Sequence, residues 1–400
     1  PPPSPTPPPT PRPMPSWEYD WDTFPVAWFG AKRSAYLDEK GLADLANFPL
    51  VLFGWQDLQL ETNYTNLLAA QEEQARQVKV LYPDKPVFVY IGFNGAQPYY
   101  AAEKRYFDDD DRYHDFFFRN ATGGHWGPSS GYKCNAEGDK EKLPACRNYA
   151  WNFFNASARA AFLAVAEDLV ASDTSSNGAH KFDGVFFDGA CQFFSSKHWQ
   201  GASNLPADTS DEAIRVIWIG LVSKLCAICA AHNKYPMFNL HLDALNFNLT
   251  GPTTGNEATL MGSLNGQGLF RYNEGSPPLA TVKYLDNRIK ELPFSLPWLA
   301  HVQEHGNATV AAFLIGRGPY SYISDGSYTG TNFWHTSPGK YAYGAPVDTG
   351  PTRAVGADGS IVYRRKYQRA NITLTCPAPK SASEVSSSKS KCEGLIEEQH

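Results

Sequence analysis

Read for its apolar and polar positions, the chain alternates short, almost wholly apolar runs with longer amphipathic stretches. The short runs are Val26–Gly30, Leu50–Phe53, Val87–Ile91, Gly184–Phe187, Met237–Leu240, Leu269–Tyr272, Leu299–Val302 and Tyr320–Ile323. Runs of this length without polar interruption predict strands buried on both faces, as in a parallel sheet covered by helices. Between most of them the apolar positions recur at helical spacing, which predicts helices over Gln71–Tyr82, Ala158–Ala171, Asp211–His232, Leu279–Leu292 and Asn307–Ile315. Eight strands with intervening helices predict an α/β fold, a (β/α)8 TIM barrel. An open doubly wound sheet is the alternative, disfavoured because no Gly-x-Gly-x-x-Gly loop follows the first strand.

Three segments break the alternation. Residues 1–16 are nearly all Pro, Ser and Thr, and lack the backbone donors and apolar bulk of a packed element. They are expected to form a polyproline II arm or linker. Residues 93–147 are too long for an ordinary connection and read as an elaborated loop after strand 3, at the mouth of the barrel. Within it Asp108–Asp111 lacks the alternating spacing of a calcium loop and reads as a solvated acidic turn. Residues 376–400 carry a Ser/Lys-rich low-complexity stretch and are expected to be a short C-terminal tail, leaving 17–375 as the barrel.

Composition changes the picture in two places. Aromatics reach 14% while charged residues stand at 19%, a balance that suits either a large core or a surface that stacks against sugar rings. The net charge of −6 comes without any basic run, so nucleic acid is not an expected partner. The sequence shows no uninterrupted apolar stretch of membrane-spanning length, so no membrane span is expected. Cys134 and Cys146 enclose a short polar loop, and Cys376 and Cys392 flank the Ser/Lys stretch; each pair is a candidate disulfide. Cys226 and Cys229 fall inside an apolar helical pattern and read as buried small hydrophobes. Seven cysteines leave an odd one. Glycosylation sequons occur at Asn63, Asn120, Asn155, Asn248, Asn307 and Asn371. Cysteines and sequons together point to a secreted or extracellular address, at a cell wall or surface. The numbering, opening on prolines, is expected to start inside a longer or processed precursor.

The string Lys181-Phe182-Asp183-Gly184-Val185-Phe186-Phe187-Asp188-Gly189 carries the most chemistry. An acidic residue at the C-terminal end of a barrel strand stands where barrel active sites are built, and the following glycine permits a sharp turn. Asp188 is therefore the first candidate catalytic residue, the alternative being an aspartate that caps a helix or bonds loop amides. Glycosidic cleavage needs a second carboxyl. Glu274, which closes Phe270-Arg271-Tyr272-Asn273-Glu274-Gly275, is the first choice, and Asp325, Glu304 and Asp243 hold similar places. Trp28, Trp55, Tyr90, Asn94, Asp183, Asn239, His241, Arg271, Tyr272 and Asp325 are candidate substrate contacts. No metalloprotease, P-loop or kinase signature occurs, the Gly127–Gly131 Gly-x-Ser-x-Gly match lacks a preceding strand, and the histidines are scattered. His232 and His301 read as core or loop residues, and no metal or organic cofactor is expected.

The Phe182–Asp188 string resembles one found in barrel glycosidases of the α-galactosidase-like superfamily, especially the α-1,4-polygalactosaminidase-like and hypothetical glycosyl hydrolase families. Tyr149–Ser157 is similar to the segment that leads to that strand in those families. Tyr343-Gly344-Ala345-Pro346 with Ile361–Tyr367 resembles their closing segment, although Ala370–Thr373 departs from its usual ending. The resemblance spans Phe24 to Thr375. It implies that Asp188 acts as nucleophile or base and that a carboxylate near the sixth strand, Glu274, acts as acid. The expected function is a secreted glycoside hydrolase acting on an α-linked polysaccharide or glycoprotein glycan. The competing expectation is a non-catalytic wall, matrix or fibre glycoprotein that uses a hydrolase-like barrel for binding or assembly. Its partners would be other extracellular glycoproteins, reached through the proline arm.

Overall fold

The computed structural model describes residues 15, 17–30, 36–54, 67–93, 95–96, 100–123, 149–172, 181–190, 199, 201–239, 270–274, 279–291, 297–303, 306–325, 341–378 and 392–398. Eight parallel strands form its centre: β1 (Ala27–Gly30), β2 (Leu50–Phe53), β3 (Val87–Gly92), β6 (Gly184–Asp188), β7 (Tyr235–Asn239), β8 (Phe270–Glu274), β9 (Trp298–Val302) and β10 (Ser321–Asp325). Their order in the sheet follows their order in the chain, with β10 brought back beside β1 by a parallel bridge between Val26 and Ile323. The Ile323 N–H also donates to the Pro25 carbonyl at 3.0 Å. Sequential parallel strands that return to the first are the order of a (β/α)8 barrel.

Strand parity separates two apolar layers. Ala27, Phe29, Leu50, Leu52, Phe88, Tyr90, Phe186, Tyr235, Met237, Phe270, Leu299 and Tyr322 form the inner cluster. Their alternates, among them Trp28, Val51, Phe53, Val89, Ile91, Val185, Phe187, Phe238, Trp298 and Ile323, join the layer under the helices. That layer is completed by α2 (Leu67–Leu81), α5 (Ala156–Ala171), α6 (Asp211–Ala231), α7 (Val282–Glu291) and α8 (Asn307–Gly316). The first helix, α1 (Glu39–Asp44), is a short exposed turn capped by the Asp38 side chain. Caps explain the starts of two others. Asn155 Oδ1 accepts the Ser157 and Ala158 N–H groups ahead of α5, and Ser210 does so from Ala213 ahead of α6. At 21 residues α6 is long and apolar enough to cross a membrane. Its Trp218, Leu221, Val222, Leu225, Cys226 and Cys229 nonetheless pack into the core.

Among the described residues the insertion after β3 has secondary structure of its own. It holds α3 (Ala101–Asp108), α4 (Asp110–Tyr113) and β4 (Gly95–Ala96), which pairs antiparallel with β5 (Tyr149–Ala150). The acidic stretch 108–111 is the junction of α3 and α4. Cys134 and Cys146 lie outside the described residues.

The expectation for 376–400 differs from the fold. Residues 393–398 form β14 (Glu393–Glu398), the last strand of an antiparallel sheet with β11 (Thr352–Val355), β12 (Ile361–Lys366) and β13 (Ala370–Cys376). The Cys376–Cys392 disulfide ties β14 to β13. One face of this sheet covers α8, so Thr309 through Gly316 are buried on every side between barrel and sheet. Gly394 permits the contact, because a Cβ there would stand 2.6 Å from the Asn307 carbonyl. The barrel thus ends before this sheet, short of residue 375.

Candidate active site at the barrel mouth

Asp188 ends β6 on the same parity as Phe186, so its carboxyl belongs to the inner face, at the C-terminal mouth. Three donors converge on it. Oδ1 accepts the Gly189 N–H at 2.8 Å and the Asn239 side-chain amide at 2.6 Å, and Oδ2 accepts the Tyr90 hydroxyl at 3.1 Å. Gly189 has φ 73°, a left-handed turn that a Cβ would strain and that folds its own N–H back onto the carboxylate. Tyr90 and Asn239 sit on the two neighbouring strands, where Gly92 is registered with Asp188 and Phe238 with Phe187. Both share the inward parity, and Tyr90 is held edge-to-face against Phe186 at 5.7 Å. The Tyr100 hydroxyl adds a bond to the Tyr90 carbonyl at 3.2 Å.

The far wall of the mouth comes from β8, β9 and β10. The backbone of Glu274 closes β8, on the parity of Phe270, and is registered with His301 on β9. His301 is 1% exposed; its Nδ1 lies 2.8 Å from the Ser324 hydroxyl and its ring meets Phe29 edge-to-face at 5.2 Å. Neither His301 nor Ser324 was singled out from the sequence as a mouth residue. Strand parity was the available signal, since His301 follows Leu299 by two positions and Ser324 follows Tyr322 by two.

Two candidate substrate contacts do not belong to the mouth. Asp183 stands before β6, at the opposite end of the barrel. Its carboxylate pairs with Lys79 at 3.0 Å and accepts the Val87 N–H at 2.8 Å, pinning α2 and the start of β3. Trp28 has the outward parity of β1 and is 6% exposed, packed edge-to-face on Phe53 at 5.5 Å beneath the helices. The backbones of Arg271 and Tyr272 lie in β8 and that of Asp325 ends β10. Trp55, Asn94 and His241 lie outside the described residues, as do Glu304 and Asp243. Among the described residues no group of three or more His, Cys, Asp or Glu side chains is placed to hold a metal.

The opposite end of the barrel is closed. Trp17 lies across it, stacked on Phe270 at 5.8 Å, edge-on to Tyr235 at 5.0 Å, and donating its indole N–H to the Tyr322 hydroxyl at 3.1 Å. Tyr19 donates to the Ser321 carbonyl at 2.9 Å and accepts from Arg317 Nε at 2.7 Å. The Tyr320 hydroxyl holds the carbonyls of Pro15 and Trp17 at 3.0 and 3.1 Å. Burial pushes the phenols of Tyr19 and Tyr322 above their ordinary range.

No protein-family model matches the chain, and no curated protein matches it. Solved structures resemble it at low identity. A debranching enzyme from Nostoc punctiforme, soaked with acarbose, is 11% identical over 91% of each chain with a TM-score of 0.45. Ega3 of Aspergillus fumigatus, in complex with galactosamine, is 12% identical over 80% of this chain and 97% of its own, at 0.41. An α-amylase from Lactobacillus plantarum is 8% identical over 95% and 99%, at 0.43.

Proposed function

We propose that the protein is a secreted glycoside hydrolase acting on an α-linked polysaccharide or glycoprotein glycan, with Asp188 as nucleophile or base and Glu274 as proton donor. The observation that carries this reading is the carboxylate of Asp188, set at the barrel mouth and oriented by three donors. A carboxylate held at both oxygens is fixed in direction, as the orientation of a nucleophile or base toward the reacting carbon requires. The acid has to come from elsewhere, and Glu274 ends β8, two strands away, on the inward parity. The resemblance of the Phe182–Asp188 string to α-galactosidase-like barrels supports the choice of an α-linked substrate.

Secretion is part of the proposal, supported by the Cys376–Cys392 disulfide and the sequons. Asn307 is exposed at the first turn of α8, and Asn120 and Asn371 are half-exposed. Asn155 is engaged as the cap of α5, and Asn63 and Asn248 lie outside the described residues. A purely structural role in which the proline arm fills the cleft finds no support at Pro15, which is bound at the closed end.

Release of reducing sugar from a panel of α-linked polysaccharides tests the reading. Native protein should release sugar, and Asp188→Asn should do so about a thousandfold more slowly or not at all, with its thermal midpoint little changed. Undiminished release by Asp188→Asn would overturn the assignment of the carboxylate. Silence of the native protein on every substrate would overturn the enzyme itself.

A further inference from the structure

We infer that Tyr90 and Asn239, which the sequence offers as substrate contacts, are instead positioning residues that fix the direction of the Asp188 carboxylate. The inference rests on the reading of Asp188 as nucleophile or base. Two observations carry it. The first is where their polar atoms go. The Asn239 amide is 2.6 Å from Oδ1 and the Tyr90 hydroxyl 3.1 Å from Oδ2, so each carboxylate oxygen is gripped from a different neighbouring strand. The second is burial, since Tyr90 is 4% and Asn239 1% exposed whereas Asp188 is half-buried. A sugar entering the mouth meets the carboxylate before it meets either partner.

The grip has a chemical consequence. A carboxylate fixed at both oxygens cannot rotate about its Cβ–Cγ bond without losing donors, which keeps one lone pair aimed at the reacting carbon. The strands packed against β6 bring no cation to it among the described residues: β3 presents the neutral phenol of Tyr90 and β7 the neutral amide of Asn239. His301 and the backbone of Glu274 stand across the mouth on β9 and β8.

Tyr90→Phe and Asn239→Leu separate positioning from substrate contact. The Phe variant keeps the ring on Phe186 and removes only the hydroxyl. In the sugar-release assay both variants should lower kcat about 10- to 100-fold with KM within about twofold. A raised KM with kcat retained would overturn the inference in favour of direct substrate contact. A second measurement does not need activity: crystal structures of both variants, in which the Asp188 carboxyl should turn about its Cβ–Cγ bond or occupy two orientations. A carboxyl unmoved in both variants would overturn the inference whether or not a substrate has been found. A turned carboxyl in a protein inactive on every sugar would uphold the grip on Asp188 and reject only the hydrolase reading.

Discussion

The two ends of the barrel are built from different materials. The floor is aromatic and cationic: Trp17, Tyr19, Tyr320 and Tyr322 pack on one another, and Arg317 lies against Tyr19 and Trp21, its guanidinium 4.7 Å from the Trp21 ring. The mouth is carboxylate, amide, hydroxyl and imidazole: Asp188, Asn239, Tyr90, Ser324 and His301. Large rings with satisfied polar tips close the floor and bury area, so they stabilise. Tyr90, Asn239, Ser324 and His301 are buried as well, but their polar atoms bond one another or Asp188, whose half-exposed carboxyl stands where a ligand can reach it. Barrel enzymes generally divide their labour in this way, and here the division lies within single strands. β3 sets Phe88 against Trp17 near its start and Tyr90 against Asp188 farther along.

This contrast can be broken most forcefully at Trp17. Trp17→Ala should cost about 3 kcal/mol of stability in urea unfolding, while leaving sugar release by the folded protein near native. A loss of activity larger than the loss of folded protein would mean that floor and mouth are coupled. Selective reduction of Cys376–Cys392 comes next. Its 16-residue separation corresponds to about 2–3 kcal/mol, which a lowered thermal midpoint would register. Because β14 covers α8 and not the mouth, kcat should not change at temperatures below that midpoint. The smallest effect concerns alkali. Burial raises Tyr367 to about 12, and its hydroxyl donates to the Leu314 carbonyl at 2.6 Å. Its folded pKa lies above its unfolded one, so its contribution is intact below pH ~10 and falls as the pH rises toward 12. Tyr367→Phe should lower stability at neutral pH by about 1 kcal/mol and flatten its decline over that alkaline window.

The central sheet was legible because runs such as Leu50–Phe53 are apolar at every position, and only a strand covered on both faces tolerates that. β14 was not legible. Glu-Gly-Leu-Ile-Glu-Glu lies on the sheet's edge with every side chain exposed or half-exposed, so it carries no apolar alternation, and its pairing is fixed by a disulfide and by α8. At the site, Asp188 could be found because its strand points it at the mouth. The same string misled at Asp183, since an Asp-Gly pair looks alike at either end of a strand, and only chain direction tells entry from exit. Trp28 misled through parity: one position earlier or later along β1 the side chain faces inward. The grip of Tyr90 and Asn239 on Asp188 was invisible, because it needs strands 98 and 51 residues away along the chain brought into register with β6.

The binding of Pro15 and Trp17 by Tyr320 places the bound stretch of chain at the end of the barrel farthest from Asp188. Whatever tightens or loosens that clasp acts on the floor, like a screw in the base of a lamp, and would be felt as resistance to unfolding while the opening at the other pole keeps its shape.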